Sequence, residues 1–110
     1  MNVNDFSKTT RIIREFLSER NIEIDKFYLF GSRARLDFNN DSDFDFFIVV
    51  KNDLNNSEKR ALIGDLYRAL MNKEALLVMD LIIKSANKFY SENKEIGYLS
   101  YTVFNEGVEI

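Results

Sequence analysis

The sequence contains no cysteine, histidine, proline or tryptophan, and the first two absences exclude several kinds of chemistry. The chain cannot build a serine-histidine-aspartate or cysteine-histidine nucleophilic centre, a zinc site of thiolates and imidazoles, or a disulfide framework. Any catalysis must therefore use carboxylates, hydroxyls, lysines or arginines. The lack of cysteine fits a reducing compartment, and residues 1–16 lack the apolar core of a secretory signal, so we expect a cytoplasmic protein.

Long hydrophobic runs and an excess of basic residues are also missing. The longest apolar runs, Phe46 to Val50 and Ala75 to Met79, are far shorter than the roughly 18 residues that span a bilayer, so we expect no membrane-spanning helix. The chain has 15 basic and 18 acidic residues, a net charge of -3, which disfavours direct binding to nucleic acid. A nucleotide held through a metal ion is compatible with this charge.

The length and the even composition predict one folding unit. A chain of 110 residues with 45% hydrophobic positions can bury one core, and no composition break, linker or internal repeat divides it. We therefore expect residues 1–110 to form a single domain.

Hydrophobic periodicity predicts an alternation of helices and strands. The expected elements are a helix over Asp5 to Arg20, a strand over Lys26 to Phe30, a short helix at Arg33 to Arg35, a strand over Phe44 to Val50, a helix capped by Ser57 and running to Asn72, a strand over Ala75 to Ile83, and helical segments from Ser85 that break near Gly97 and end at Gly107. This order predicts an α/β fold.

The segment from Phe30 to Val50 concentrates the candidate chemistry. A strand runs into Gly31 and Ser32, so backbone N–H groups at the start of the next short helix would point outward as an anion site. The hydroxyl of Ser32 and the guanidinium of Arg33 or Arg35 could add contacts to a phosphate. The alternative is a turn that only caps the helix.

Asp43 and Asp45 are candidate metal ligands. Residues two apart on a strand project from the same face, with about 6.6 Å of rise between them, so both carboxylates can converge on one cation. Pairs of oxygen ligands of this kind suit Mg²⁺, which also retains waters and binds substrate phosphates. The alternative is that both acids are solvated at the entrance of the strand.

Asp80 interrupts the apolar series from Leu76 to Ile83. An unpaired charge within a buried strand is costly, which favours a functional role. If this strand lies beside Phe44 to Val50, Asp80 can share a face with Asp43 and Asp45, so that three carboxylates meet. The alternative is a charge on an edge strand that discourages aggregation.

These residues together resemble the signature of the minimal nucleotidyltransferases within the polymerase-β-like superfamily. The similar pattern is Gly31-Ser32, ten residues, Asp43-x-Asp45, and a later strand with Asp80, and the resemblance covers nearly the whole chain. It implies a small mixed β-sheet with helices packed mainly on one face. P-loop and dinucleotide-binding motifs are absent from the sequence.

The resemblance also implies roles for these residues. Gly31 and Ser32 would contact the phosphates of ATP, Asp43 and Asp45 would bind Mg²⁺, and Asp80 would complete the metal site or assist the attacking hydroxyl. The expected reaction is nucleotidyl transfer, in which an acceptor hydroxyl attacks the α-phosphorus and pyrophosphate leaves.

Stand-alone proteins of this type resemble antitoxins whose partner is a HEPN-type ribonuclease toxin. The resemblance implies AMP transfer from ATP to a tyrosine of that toxin. Two alternatives are a non-catalytic antitoxin that acts by binding, and a transferase subunit that acts on a small molecule or nucleic acid. Aromatic residues of the carboxyl third could form a docking face, although most are expected in the core: Phe89, Tyr90, Tyr98, Tyr101 and Phe104.

Overall fold

The computed structural model describes residues 3–31, 33, 43–75 and 79–110. Their elements, in chain order, are α1 (Val3–Glu19), β1 (Ile24–Phe30), β2 (Phe44–Val50), α2 (Asn56–Asn72), β3 (Met79–Ser85), α3 (Ala86–Glu92), α4 (Leu99–Glu106) and β4 (Val108–Glu109). The strands form one sheet in the order β3-β2-β1-β4. Strand β1 runs antiparallel to both β2 and β4, whereas β2 and β3 are parallel. The predicted mixed α/β sheet is confirmed.

Strand β2 lies inside the sheet, and its side chains alternate between two apolar cores. Every second residue faces α1 and α2: Phe44, Phe46, Ile48 and Val50. They pack with residues of the two long helices, among which Ile13, Leu17 and Leu66 are fully buried. The larger core thus lies on the side of α1 and α2, in agreement with the prediction of helices mainly on one face.

The opposite face of the sheet has a smaller core. Phe47 and Val49 of β2 point to this side and pack with Phe89 of α3 and Val103 of α4. The ring centroids of Phe47 and Phe89 are 5.7 Å apart. Because α3 and α4 are short, they cover the middle of this face, and Asp45, two residues before Phe47, is only half-buried.

Helix α2 begins two residues earlier than the sequence pattern indicates. The N-cap is Asn55, not Ser57: the Asn55 side chain accepts from the backbone N–H of Glu58, and the Glu58 carboxylate accepts from the backbone N–H of Asn55. This reciprocal arrangement satisfies two backbone donors, whereas a cap by Ser57 alone would satisfy one. The prediction of Ser57 as the cap was wrong.

The C-terminal half of the chain differs from the prediction at two further points. Ala75, the predicted start of the third strand, lies outside β3, which ends at Ser85; residues 76–78 lie outside the described part. Gly107 caps α4 as predicted, and the unpredicted strand β4 follows it and pairs Val108 with Leu29. No helix of the described ranges has the length and hydropathy needed to cross a membrane.

A largely buried polar network joins β3 to α3 and α4. Lys84 donates to the carboxylate of Glu92, and the hydroxyl of Ser100 donates to the same oxygen over 3.0 Å. The side chains of Lys84 and Glu92 are 19% and 12% exposed. The hydrogen bond from Lys84 lowers the pKa of Glu92, although burial acts in the opposite direction. The ionised carboxylate therefore helps to hold the two short helices on the sheet.

We expect Glu92→Gln to lower the free energy of unfolding by about 1–3 kcal/mol at pH 7, because it removes a charged acceptor and leaves Lys84 without its counter-charge. The contribution of Glu92 is present above its unfolded-state pKa of about 4.5 and is lost as the pH falls through the lower folded-state value. Urea unfolding at pH 7 and at lower pH measures both effects. The exposed Glu95→Gln is the control, and equal stability of the Glu92 and Glu95 variants would contradict the prediction.

Candidate active site

Gly31 brings the backbone at the end of β1 against a carboxylate of β2. Its φ is +74°, a conformation that residues with a side chain rarely adopt. A Cβ atom at this position would lie 2.5 Å from the Oδ2 atom of Asp45. Asp45 is also the register partner of Phe30, the residue before Gly31. A glycine is therefore required for this turn to pass beside the carboxylate.

Asp45 and Asp80 are direct partners in the parallel pairing of β2 and β3. Paired residues of neighbouring strands lie side by side, about 4.8 Å apart along the hydrogen-bonding direction. Both acids are on the side of the sheet that α3 and α4 partly cover, since Asp45 alternates with Phe46 and Asp80 with Leu81, which face the other side. Asp45 is half-buried and Asp80 is exposed. The structure thus brings these two predicted residues together.

Asp43 is exposed and immediately precedes β2. Although all three predicted acids belong to the described ranges, no cluster of three or more acidic side chains there could hold a metal ion. The donor set nevertheless fits Mg²⁺, which proteins commonly bind through one or two carboxylates, with waters and substrate phosphates as the other ligands.

Two of the four predicted phosphate-binding residues belong to the part of the chain that the structure describes. Gly31 lies at the site, whereas Ser32 and Arg35 fall outside the described residues. Arg33 has a helical backbone conformation, as the predicted short helix requires, and its guanidinium carbon lies 4.3 Å from the ring centroid of Phe44. Because the side chain of Phe44 belongs to the core on the α1 side, a phosphate contact by Arg33 stays a prediction.

Tyr67 of α2 contacts the site and was not singled out by the sequence. Its hydroxyl donates to the backbone oxygen of Met79 over 3.3 Å and accepts from the backbone N–H of Leu81 over 3.2 Å. Burial raises the pKa of Tyr67, and the nearby charge of Asp80 raises it further. In the sequence, Tyr67 belongs to the apolar stripe of a helix, so no local signal distinguishes it from a core residue.

The family comparison agrees with this geometry. The profile of the family described as "Polymerase beta, Nucleotidyltransferase" matches residues 11–109, a range that includes every predicted site residue. No curated protein matches the sequence.

Solved structures with the same fold include two complexes and one enzyme candidate. A chain of a toxin–antitoxin complex with AMP-PNP is 22% identical, with a TM-score of 0.54 over 90% of this chain and 69% of that chain. A chain of the complex between a tri-AMPylated HEPN toxin of Shewanella oneidensis and an MNT antitoxin is 19% identical, with a TM-score of 0.53 over 99% and 71%. A proposed nucleotidyltransferase of Sulfolobus solfataricus is 19% identical, with a TM-score of 0.57 over 99% and 87%.

At these identities the structural likeness shows the fold, while the family profile carries the assignment. The profile covers nearly the whole chain, including the turn at Gly31 and the paired acids Asp45 and Asp80. This protein therefore belongs to the polymerase beta nucleotidyltransferase family.

Proposed function

We propose that this protein is a Mg²⁺-dependent nucleotidyltransferase that moves AMP from ATP to a hydroxyl, such as that of a tyrosine, on a partner HEPN-type toxin and so acts as its antitoxin. The observation that carries the proposal is the pairing of Asp45 with Asp80 beside the turn at Gly31. This arrangement puts carboxylates and a close backbone approach at one place on the sheet.

The proposed step replaces one phosphoanhydride bond with one phosphoester bond. The acceptor oxygen attacks the α-phosphorus of ATP, the bond from that phosphorus to the oxygen bridging the β-phosphate breaks, and pyrophosphate leaves. Asp43, Asp45 and Asp80 are the proposed carboxylate ligands of Mg²⁺. Because the described residues form no ready three-carboxylate site, the ion would be held together with the phosphates of the nucleotide, and when bound it would supply charge stabilisation at the attacking and leaving oxygens. Asp80, opposite Asp45, is also the residue proposed to accept or orient the proton of the acceptor hydroxyl.

The turn after β1 is the proposed site for the phosphates. The backbone at Gly31 lies beside Asp45, so a phosphate bound there would be close to the carboxylates that share its metal ion. Ser32 would donate from its hydroxyl, and Arg33 or Arg35 would offset the negative charge of the triphosphate. These groups position the nucleotide for in-line attack.

A protein acceptor is supported by two of the solved structures that share this fold. Among the structures with this fold, one is a toxin–antitoxin complex with an ATP analogue, and another contains a HEPN toxin that carries AMP.

The exposed aromatic residues of the C-terminal helices suit a docking surface. Tyr90, Tyr98 and Phe104 are 43%, 46% and 51% exposed. Phe89, another aromatic residue of this region, is fully buried in the core under α3 and α4. The docking role is therefore proposed for the three exposed residues.

The decisive experiment is incubation of the protein with ATP labelled at the α-phosphate, Mg²⁺ and the protein encoded beside it. Label on the neighbouring protein would identify both the reaction and the acceptor. Label on an added small molecule or nucleic acid, with none on the neighbouring protein, would instead favour a transferase subunit that acts on that kind of acceptor.

Asp45→Asn and Asp43→Asn should each slow Mg²⁺-dependent transfer on the order of a thousandfold or more, at about 1.36 kcal/mol of barrier per decade. The amide keeps the shape of the side chain but removes the charge that attracts the ion. Rates are measured with α-labelled ATP over a range of Mg²⁺ concentrations. Asp65→Asn, on the exposed surface of α2, controls for a general effect of charge, and near wild-type transfer by the Asp45 variant would refute the assignment.

Gly31→Ala should reduce transfer on the order of a hundredfold, because the added Cβ must displace the Asp45 carboxylate. The positive φ adds a stability cost of about 1–3 kcal/mol. Gly64→Ala is a matched control, since its Cβ would meet only the Arg68 side chain, at 3.8 Å. Transfer assays and urea unfolding of both variants check the prediction, which fails if the two alanine variants have equal activity.

Asp80→Asn separates catalysis from neutralisation by binding. The variant keeps the shape of the side chain at an exposed position, so it should still co-purify with the toxin but leave it unmodified and toxic. Growth of cells that co-express toxin and variant is read beside the mass of the recovered toxin. Rescue of growth without an added AMP mass would instead establish neutralisation by binding.

A further inference from the structure

We propose that Tyr67 is a positioning residue that fixes Asp80 opposite Asp45 by holding the backbone on both sides of Asp80. The inference rests on the proposed function, because Asp80 must act at the metal–nucleotide site for its position to matter. Tyr67 itself lies on α2 and would not contact the substrate.

The contacts of Tyr67 reproduce those of a neighbouring strand. In a parallel pair, one residue of the neighbour donates to the carbonyl before its partner and accepts from the N–H after it. The Tyr67 hydroxyl does both with one oxygen, since it donates to Met79 and accepts from Leu81, the residues on either side of Asp80. It therefore takes the place of a strand residue that would pair with Asp80.

This contact is on the outer edge of the sheet. Strand β3 is the edge strand, and β2 pairs with it from the inner side, with Asp45 opposite Asp80. Met79 and Asp80 are the first two residues of β3, and a strand at the edge of a sheet pairs with another strand on one side only. The backbone at Asp80 is consequently held from both directions, by β2 and by Tyr67.

Tyr67 is well suited to this task because its own position is fixed. Its ring packs against the larger core, and it lies on a helix that begins with the capping box of Asn55 and Glu58. A tyrosine hydroxyl is protonated at neutral pH, so it can donate one hydrogen bond and accept another at the same time. A phenylalanine would keep the packing and lose only the two hydrogen bonds.

The test compares Tyr67→Phe with Asn55→Ala, which weakens the opposite end of the same helix without touching β3. Relative to wild type, Tyr67→Phe should lower kcat on the order of tenfold. It should also raise the Mg²⁺ concentration that gives half-maximal rate on the order of tenfold. Its KM for the acceptor toxin should stay unchanged. Asn55→Ala should keep all three values near those of wild type. An equal loss of kcat in both variants would show that Tyr67 only stabilises the fold and would overturn the inference.

The double variant Tyr67→Phe/Asp80→Asn gives an independent criterion. If Tyr67 acts through Asp80, the loss of its hydroxyl should have no further effect once the carboxylate is gone. The double variant should therefore bind Mg²⁺ with a non-hydrolysable ATP analogue as tightly as Asp80→Asn alone. A loss of affinity in the double variant equal to the product of the two single losses would overturn the inference.

Two readouts do not require transfer and separate failure of this inference from failure of the proposed function. Amide hydrogen exchange at Leu81 should be faster in Tyr67→Phe than in wild type or Asn55→Ala, since its N–H loses its acceptor. Calorimetric affinity for Mg²⁺ with a non-hydrolysable ATP analogue should weaken on the order of tenfold in Tyr67→Phe alone. If wild type binds the analogue in this manner but labels no acceptor, the proposed function fails while the positioning role stands. Unchanged affinity or unchanged exchange in Tyr67→Phe would overturn the positioning role.

Discussion

The parallel pairing of β2 with β3 is the interaction on which the candidate site depends. It places Asp45 and Asp80, residues far apart in the sequence, in neighbouring positions on one face of the sheet. A slip of one residue would turn every β3 side chain to the opposite face, so that Asp80 would enter the apolar core and Leu81 would be exposed. The burial of Leu81 and Ile83 under α2 therefore fixes the register that the chemistry requires. Packing free energy and site geometry are set by the same residues.

The two faces of the sheet differ in how completely helices cover them, and the candidate site lies on the less covered face. One face is buried along its length by the long helices α1 and α2, where β2 contributes four apolar side chains. The other face is covered by the short helices α3 and α4 over Phe47 and Val49, and the half-buried Asp45 lies beyond that cover. An ionised side chain is costly in an apolar core and inexpensive where water reaches it. The described helices on this face are short, and they leave Asp45 half-buried and Asp80 exposed.

Much of this arrangement could be predicted because it depends on short-range patterns. The two faces of β2, the glycine at a strand end and an acid within an apolar run are visible in the sequence, and they led to Gly31, Asp45 and Asp80. Strand β4 was missed because two residues show no periodicity, and its pairing with β1 depends on a contact distant in sequence. The cap of α2 was misplaced because Asn55 and Ser57 are both good caps, and the reciprocal bond with Glu58 decides between them. Tyr67 was missed because its hydrogen bonds go to backbone atoms, which carry no sequence signal.

The contacts around the two acids lie in one row across the sheet. Phe30 pairs with Asp45, Asp45 pairs with Asp80, and Tyr67 bonds to the backbone on both sides of Asp80. Gly31 follows Phe30, and its backbone lies beside the carboxylate of Asp45. The strand pairings in this row fix the spacing of Phe30, Asp45 and Asp80 through backbone hydrogen bonds, and backbone geometry varies less than side-chain rotamers do. The backbone pairing of β2 and β3 therefore maintains the separation at which the side chains of Asp45 and Asp80 are proposed to act.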